Sequence, residues 1–240
     1  MLFEDDFALD GISALSMGIV MQNNFKFSGA EPEIEVIQVA GRNGALHRYT
    51  GSWLNIEGEV DCYILQDGAA QNLATLGRFL KPMQGYRRLE VQSDPSYYRL
   101  ARVKAMPDSD IRIELMAPFT LEFDCMPQHF LKIGDREVAL ADGDTLRNPT
   151  NQVAYPTIRL EGTNMTQLMI GESIVNLNGT TGTVVIDSFR QRVYNLTGDL
   201  MTPSTLLKGM EFPTLVQGDN GVQLSGDSIT CTVTPHWFEV

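Results

Sequence analysis

Apolar and polar positions alternate with period two along almost the whole chain, which predicts a protein built mainly of β-strands. The run from Leu54 to Leu65 carries the β-branched and aromatic residues Ile56, Val60, Tyr63 and Ile64. Arg88 to Val91, Tyr97 to Met106 and Ile111 to Cys125 continue the pattern, separated by the turn-formers Ser93-Asp94-Pro95 and Pro107-Asp108-Ser109. One stretch breaks the period. Gly68 to Leu80 sets Leu73, Leu76, Phe79 and Leu80 at helical spacing, with Asp67 placed to cap it and Lys81-Pro82 to stop it. The first half therefore predicts a β-sandwich covered by one α-helix.

Turn-formers crowd between Pro127 and Pro149: Gly134-Asp135, Asp142-Gly143-Asp144 and Asn148-Pro149. Pro127 is expected to end the strand before it. A boundary here gives two domains, residues 1–130 and 131–240. Beyond it come short apolar runs: Thr157 to Leu160, Leu168 to Ile170, Ile174 to Leu177, Val184 to Asp187, Val193 to Tyr194, Val222 to Leu224 and Ile229 to Val233. Asn178-Gly179, Gly182 and Asp219-Asn220-Gly221 are expected to turn between them. No helical period interrupts, so the second half predicts an all-β sandwich or jelly roll.

The most telling segment is Val39-Ala40-Gly41-Arg42-Asn43-Gly44. It joins the strand-like run Ile34 to Val39 to a second run with Leu46, Tyr49, Trp53 and Ile56. Asn43 and Gly44 take positive φ readily, as a tight hairpin turn demands, and Gly41 lets the backbone bend just before them. Arg42 puts a permanent charge at the tip. An arm protruding from a β-rich body points to assembly; the plainer reading is a surface hairpin whose arginine has no task.

Length and charge narrow the field. A chain of 240 residues buries a core without disulfide staples. Cys62, Cys125 and Cys231 are far apart and each lies in an apolar run, so buried thiols in a reducing compartment are expected. No apolar run reaches the length of a membrane span, and the acidic opening Met1 to Asp6 is unlike a secretory signal. The net charge of −12 argues against gripping nucleic acid as the main task, and is compatible with an acidic wall past which DNA slides.

Catalytic and metal chemistry find no pattern. His47, His129 and His236 are scattered, and no nucleophile elbow, phosphate loop or dinucleotide fingerprint occurs. Asp142-Gly143-Asp144 lacks the remaining ligands of a calcium loop. The pairs Glu57/Glu59 and Glu122/Asp124, candidates for a glycosidase, fall on the polar side of half-buried strands. Asn164, Asn178 and Asn195 each open an Asn-x-Thr sequence, read as turn chemistry. No cofactor, no metal and no enzymatic activity are expected.

Taken together, the chain resembles the distal tail proteins of siphophages, the Dit family, over essentially its whole length. In the first half the resemblance rests on Asp10-Gly11, the Val39 to Gly44 segment, Phe79-Leu80, Leu89 to Asp94, Tyr97-Tyr98 and Phe123-Asp124-Cys125-Met126-Pro127. In the second it rests on Asn148-Pro149-Thr150 with Ala154 and Pro156, then Ile186-Asp187, Val193-Tyr194 and Phe212-Pro213-Thr214-Leu215. Gly218-Asp219-Asn220 and Pro235-His236-Trp237 complete it.

The resemblance implies a structural virion protein of a phage or prophage, made in the host cytoplasm and located at the tail tip. Six copies form a ring through the N-terminal β-sandwich, singly or as a stacked double ring, and a galectin-like C-terminal sandwich decorates its outside. The ring would contact the tail tube protein and the tail-associated lysin or tail spike protein, with the tape measure and receptor-binding proteins as further contacts. DNA passes through the lumen, and no membrane contact is implied. The chain lacks the long second-half insertion of larger members, which grips receptor-binding proteins. A head-to-tail ring needs two complementary surfaces on each subunit, and the arm supplies one by pairing with a neighbour's strand edge. Ile34, Val36, Gly41, Arg42, Asn43, Gly44 and Trp53 are accordingly the candidate assembly residues. The alternative function is an accessory carbohydrate-binding module. Trp237 and Asn195 are available for it, without a concentrated cluster of histidine, arginine and asparagine.

Overall fold

The computed structural model describes residues 5–64, 85–104, 118–195, 197–201, 207 and 211–240. The helix expected over Gly68 to Leu80 and the start of the strand expected from Ile111 lie outside these residues. The chain packs as two compact units, Met1–His129 with Val240, and Phe130–Glu239. The mainly β expectation holds: the described elements are strands apart from 3-10 turns at Leu15–Met17 and Lys132–Asp135.

In the first unit the strands are β1 (Phe7–Leu9), β2 (Ile12–Ser13), β3 (Ile19–Met21), β4 (Lys26–Phe27), β5 (Pro32–Gln38), β6 (Ala45–Trp53), β7 (Ile56–Ile64), β8 (Arg87–Val91), β9 (Tyr97–Val103) and β10 (Phe119–Leu131). The sheet runs β2-β1-β8-β9-β10-β7-β3, with β4 also on β7. Geometry forces this sheet to curl. Six strand spacings separate β2 from β3, about 29 Å if flat. Yet the chain goes from Ser13 at one edge to Ile19 at the other through a single tight turn, a reach of at most about 20 Å. The concave face is the core. Ile56, Val60 and Cys62 of β7 point into it with Phe119, Leu121, Phe123 and Cys125 of β10, while Glu57, Glu59 and Glu122 face water. Phe7 and Leu9 from one edge and Ile19 and Met21 from the other join the same cluster.

Pro127 does not end its strand; β10 continues through it to Leu131. The carbonyl of Glu122 accepts from Lys104, the residue just after β9, so even-numbered residues of β10 direct their backbone groups toward β9 and odd-numbered ones toward β7. Pairing with β7 stops at Cys125–Ile56. The missing N–H of Pro127 therefore faces a side that β7 has already left, the edge-like position in which a strand tolerates proline.

The second unit holds β11 (Val138–Leu140), β12 (Thr145–Asn148), β13 (Thr157–Ile170), β14 (Ser173–Asp187), β15 (Arg192–Asn195), β16 (Gly218–Thr234) and β17 (Phe238–Glu239). The order is β11-β16-β13-β14-β15, with β12 also on β16. Short strands expected to be separated by turns are here halves of long bent ones. Asn178 and Gly179 adopt φ of 50° and 78°, but inside β14, and the β13–β14 register shifts between Gly162 and Gln167. The same residue types that make turns make bulges when the ladder resumes beyond them. Bending lets both halves line one core: Ile158, Leu160, Val184 and Ile186 from one end pack in a single cluster with Leu168, Ile170, Val175 and Val222 from the other. Trp237 is buried in it, beside Gly134, where a Cβ would lie 2.4 Å from the Trp237 nitrogen.

Candidate functional site

The hairpin expected at Val39 to Gly44 exists and stands by itself. β5 and β6 form a separate two-stranded sheet, with Ile34 opposite Tyr49, Glu35 opposite Arg48, Val36 opposite His47 and Ile37 opposite Leu46. Nearly every residue of both strands is exposed. One face presents Ile34, Val36 and Tyr49, which keep 37%, 57% and 67% of their surface in water; the other presents Ile37 and Leu46 beside a 2.6 Å ion pair between Arg48 and Glu35. A lone two-stranded ribbon is marginally stable in water, and this one carries apolar side chains on both faces.

The tip differs from a two-residue turn. Six residues connect the strands, and positive φ falls on Gly41 (79°) and Gly44 (80°), not on Asn43. The Arg42 N–H donates to the Val39 carbonyl at 3.2 Å, closing a turn that has Gly41 at its third position, where left-handed backbone is required. Arg42 and Asn43 are exposed at this tip. Trp53 sits at the other end of the ladder, opposite Pro32, beyond an irregularity containing Gly51. The candidate residues thus occupy one arm in three places, a face, a tip and a base. Tyr49, the most exposed large hydrophobic residue of the arm, belongs with them; its position in register with Ile34 is what the sequence alone did not show.

The carboxylate pairs weighed as catalytic lie on the water face of the β7–β10 ladder. Glu122 is directly opposite Glu59 and Asp124 opposite Glu57. Like charges so placed repel. Lys104 offsets this by bridging Glu57 (2.5 Å) and Glu122 (3.9 Å), as do Arg102 with Asp124 (2.7 Å) and Lys26 with Glu59 (3.4 Å). This is a solvated charge ladder without a buried acid.

A cavity of about 180 Å³ opens beside the core of the first unit, lined by Phe25, Phe27, Tyr97, Arg99, Asp94 and His129 among others. His129 and Asp94 are 2.8 Å apart, and Tyr97 stacks on the His129 ring. Arg99 shares the face of β9 that holds buried Ala101 and Val103, so it occupies a core-facing position. Its guanidinium lies over the Phe27 ring at 4.7 Å and donates to the Pro127 carbonyl at 3.4 Å. Burial holds its pKa below the ordinary value, with Cys125 and Asp94 acting in the opposite sense.

Among the described residues, no three histidine, cysteine or acidic side chains are grouped to hold a metal. Asp142 and Asp144 accept backbone N–H groups of Leu224 and Ala141 at 2.8 and 2.7 Å, ordinary loop capping. His236 bridges Asp135 and Thr157. Trp237 keeps only 5% of its surface, and Asn195 is engaged with Thr197 and Asp199, so neither presents a stacking or sugar-reading surface.

The fold is shared with proteins solved from phage tails. The chain is similar to the SPP1 Dit protein, described as a paradigm of the hub adsorption apparatus in phages infecting Gram-positive bacteria; the TM-score is 0.70 at 17% identity, over 95% of this chain and 97% of that one. A chain in the baseplate of phage p2, in its activated conformation with Sr, is similar with TM-score 0.53 at 8% identity, again over 95% and 97%. No protein-family model and no curated protein sequence matches.

Proposed function

We propose that this protein is a structural, non-enzymatic hub at the tail tip of a long-tailed phage or prophage, six copies closing into a ring around a DNA channel. The fold shared with the SPP1 hub over nearly the full length of both chains supports the tail-tip role. The observation that carries the assembly reading is the free hairpin, a ribbon whose apolar faces are left in water. A ring closes head to tail, so each subunit needs a donor surface distinct from its acceptor. The arm is the donor: Ile34, Val36 and Tyr49 supply apolar contact, Gly41 to Gly44 the shape of the tip, and Trp53 the base.

In this reading residues 1–130 form the ring, and residues 131–240 are a galectin-like decoration. One ring face meets the tail tube protein and the other the tail-associated lysin or spike. The net charge of −12 favours a channel wall that repels phosphate. Sedimentation velocity of the purified chain tests the reading: a main species near six times the 26.7 kDa chain mass is expected, or twice that for a double ring. A chain that stays monomeric as concentration rises refutes it.

A further inference from the structure

Arg99 is the anomaly of the first unit. Its neighbours two and four residues along β9, Ala101 and Val103, are core side chains, and Leu89 is its register partner on β8. Arg99 is half-buried there, and a charged side chain drawn toward a core usually has a carboxylate in direct contact. Among the described residues no carboxylate lies within ion-pair distance of it; its hydrogen bonding consists of one long contact to a backbone carbonyl, although a guanidinium carries five N–H donors. The guanidinium borders a cavity of about 180 Å³ with aromatic walls, whose one acid, Asp94, acts on it from a distance and is itself paired with His129 at 2.8 Å. Roughly 150 Å³ is enough to hold a benzene molecule, so the end of an acidic side chain enters without rearrangement.

The arm carries the complementary charge. Glu33 and Glu35 of β5, with Glu31 just ahead of the strand, alternate with Ile34 and Val36 and so line the opposite face. Glu35 is paired with Arg48 and Glu33 accepts from Ser52, whereas the Glu31 carboxylate has no partner among the described residues. A cation without a direct ion pair among the described residues and an exposed acidic row on the proposed donor element are complementary. We propose that the Arg99 cavity is the acceptor for the arm: a carboxylate of the Glu31, Glu33, Glu35 row of one copy pairs with Arg99 of the next. The pairing rests on the ring reading, which it deepens by naming the second surface. It also explains the core-facing cation as a site completed only on assembly.

The test is a double-mutant cycle on ring dissociation by sedimentation equilibrium, with Arg99→Met, a joint Glu31→Gln, Glu33→Gln, Glu35→Gln variant, and their combination. Each alone is expected to weaken assembly at least about thirtyfold, and the combination no further, because both remove one contact. Arg99→Met is expected to melt no lower than wild type as a separated chain, since it replaces a half-buried charge without a direct ion pair among the described residues by an apolar side chain. Multiplying effects, or an intact ring in either variant, overturn the inference while leaving the ring reading in place; they assign the cavity to another partner or to none. A monomeric wild type refutes the ring reading, and the inference with it. Should Arg99→Met fail to fold, Arg99→Gln takes its place in the same cycle.

Discussion

Replacing Ile34, Val36 and Tyr49 together by serine removes the exposed apolar face of the arm and leaves both cores untouched. These side chains keep 37%, 57% and 67% of their surface in water. Burying a side chain of this size completely contributes about 2 kcal/mol, so covering the exposed fractions contributes about 3 kcal/mol per subunit contact. Losing that weakens each contact on the order of a hundredfold. The arm forms no part of either core cluster, so the separated subunit is expected to unfold within about 2 °C of wild type. Sedimentation velocity reads the assembly and circular dichroism the melting temperature. The expected outcome is loss of the ring with an unchanged melt. An intact ring refutes the argument, and so does a large fall in melting temperature, which would make the arm a structural element of its own subunit.

Gly134→Ala places a methyl group 2.4 Å from the Trp237 backbone nitrogen, and a backbone neighbour yields poorly; a loss of about 1–3 kcal/mol is expected in urea titrations, and an unchanged midpoint contradicts the packing. For Asp10, burial opposes ionisation, yet hydrogen bonds from the Arg87 side chain and the Arg88 N–H outweigh it and hold the pKa below 3.8. A lowered native pKa stabilises above the unfolded value and the benefit is lost as pH falls through the native one, so urea midpoints are expected to fall below about pH 4, and to fall less in Asp10→Asn. Burial pushes the thiols of Cys62, Cys125 and Cys231 up to about 12. All three are expected to resist a thiol reagent at neutral pH until the chain is unfolded, when three react; rapid labelling of the native protein contradicts their placement.

How much could be read from the residues differs from element to element. The alternation of Leu54 to Leu65 reappears as β7, with Ile56, Val60 and Cys62 inward and the intervening acids outward. The hairpin was visible because Val39 to Gly44 concentrates turn residues between two strand-like runs. Its exact turn was not, because six residues share the reversal and glycine, not asparagine, takes the left-handed positions. Pro127 and Asn178-Gly179 misled for one reason. A breaker residue stops a strand only when the ladder has no partner to resume with, and that depends on strands far away in sequence. β10 runs past Pro127 because β7 has already left that side, and β14 runs past Gly179 because β13 bends with it. Arg99 was passed over for a different cause: a cation on a strand reads as outward-facing until burial shows that the face it shares with Ala101 and Val103 is the inward one. Tyr49 gained its place from pairing with Ile34.

If this chain is shaped to join copies of itself, as proposed, negative-stain class averages of the purified protein reveal the product. Ring-shaped particles with sixfold symmetry and an open centre are expected. A uniform population of small, separate particles at the same concentrations would contradict the proposal.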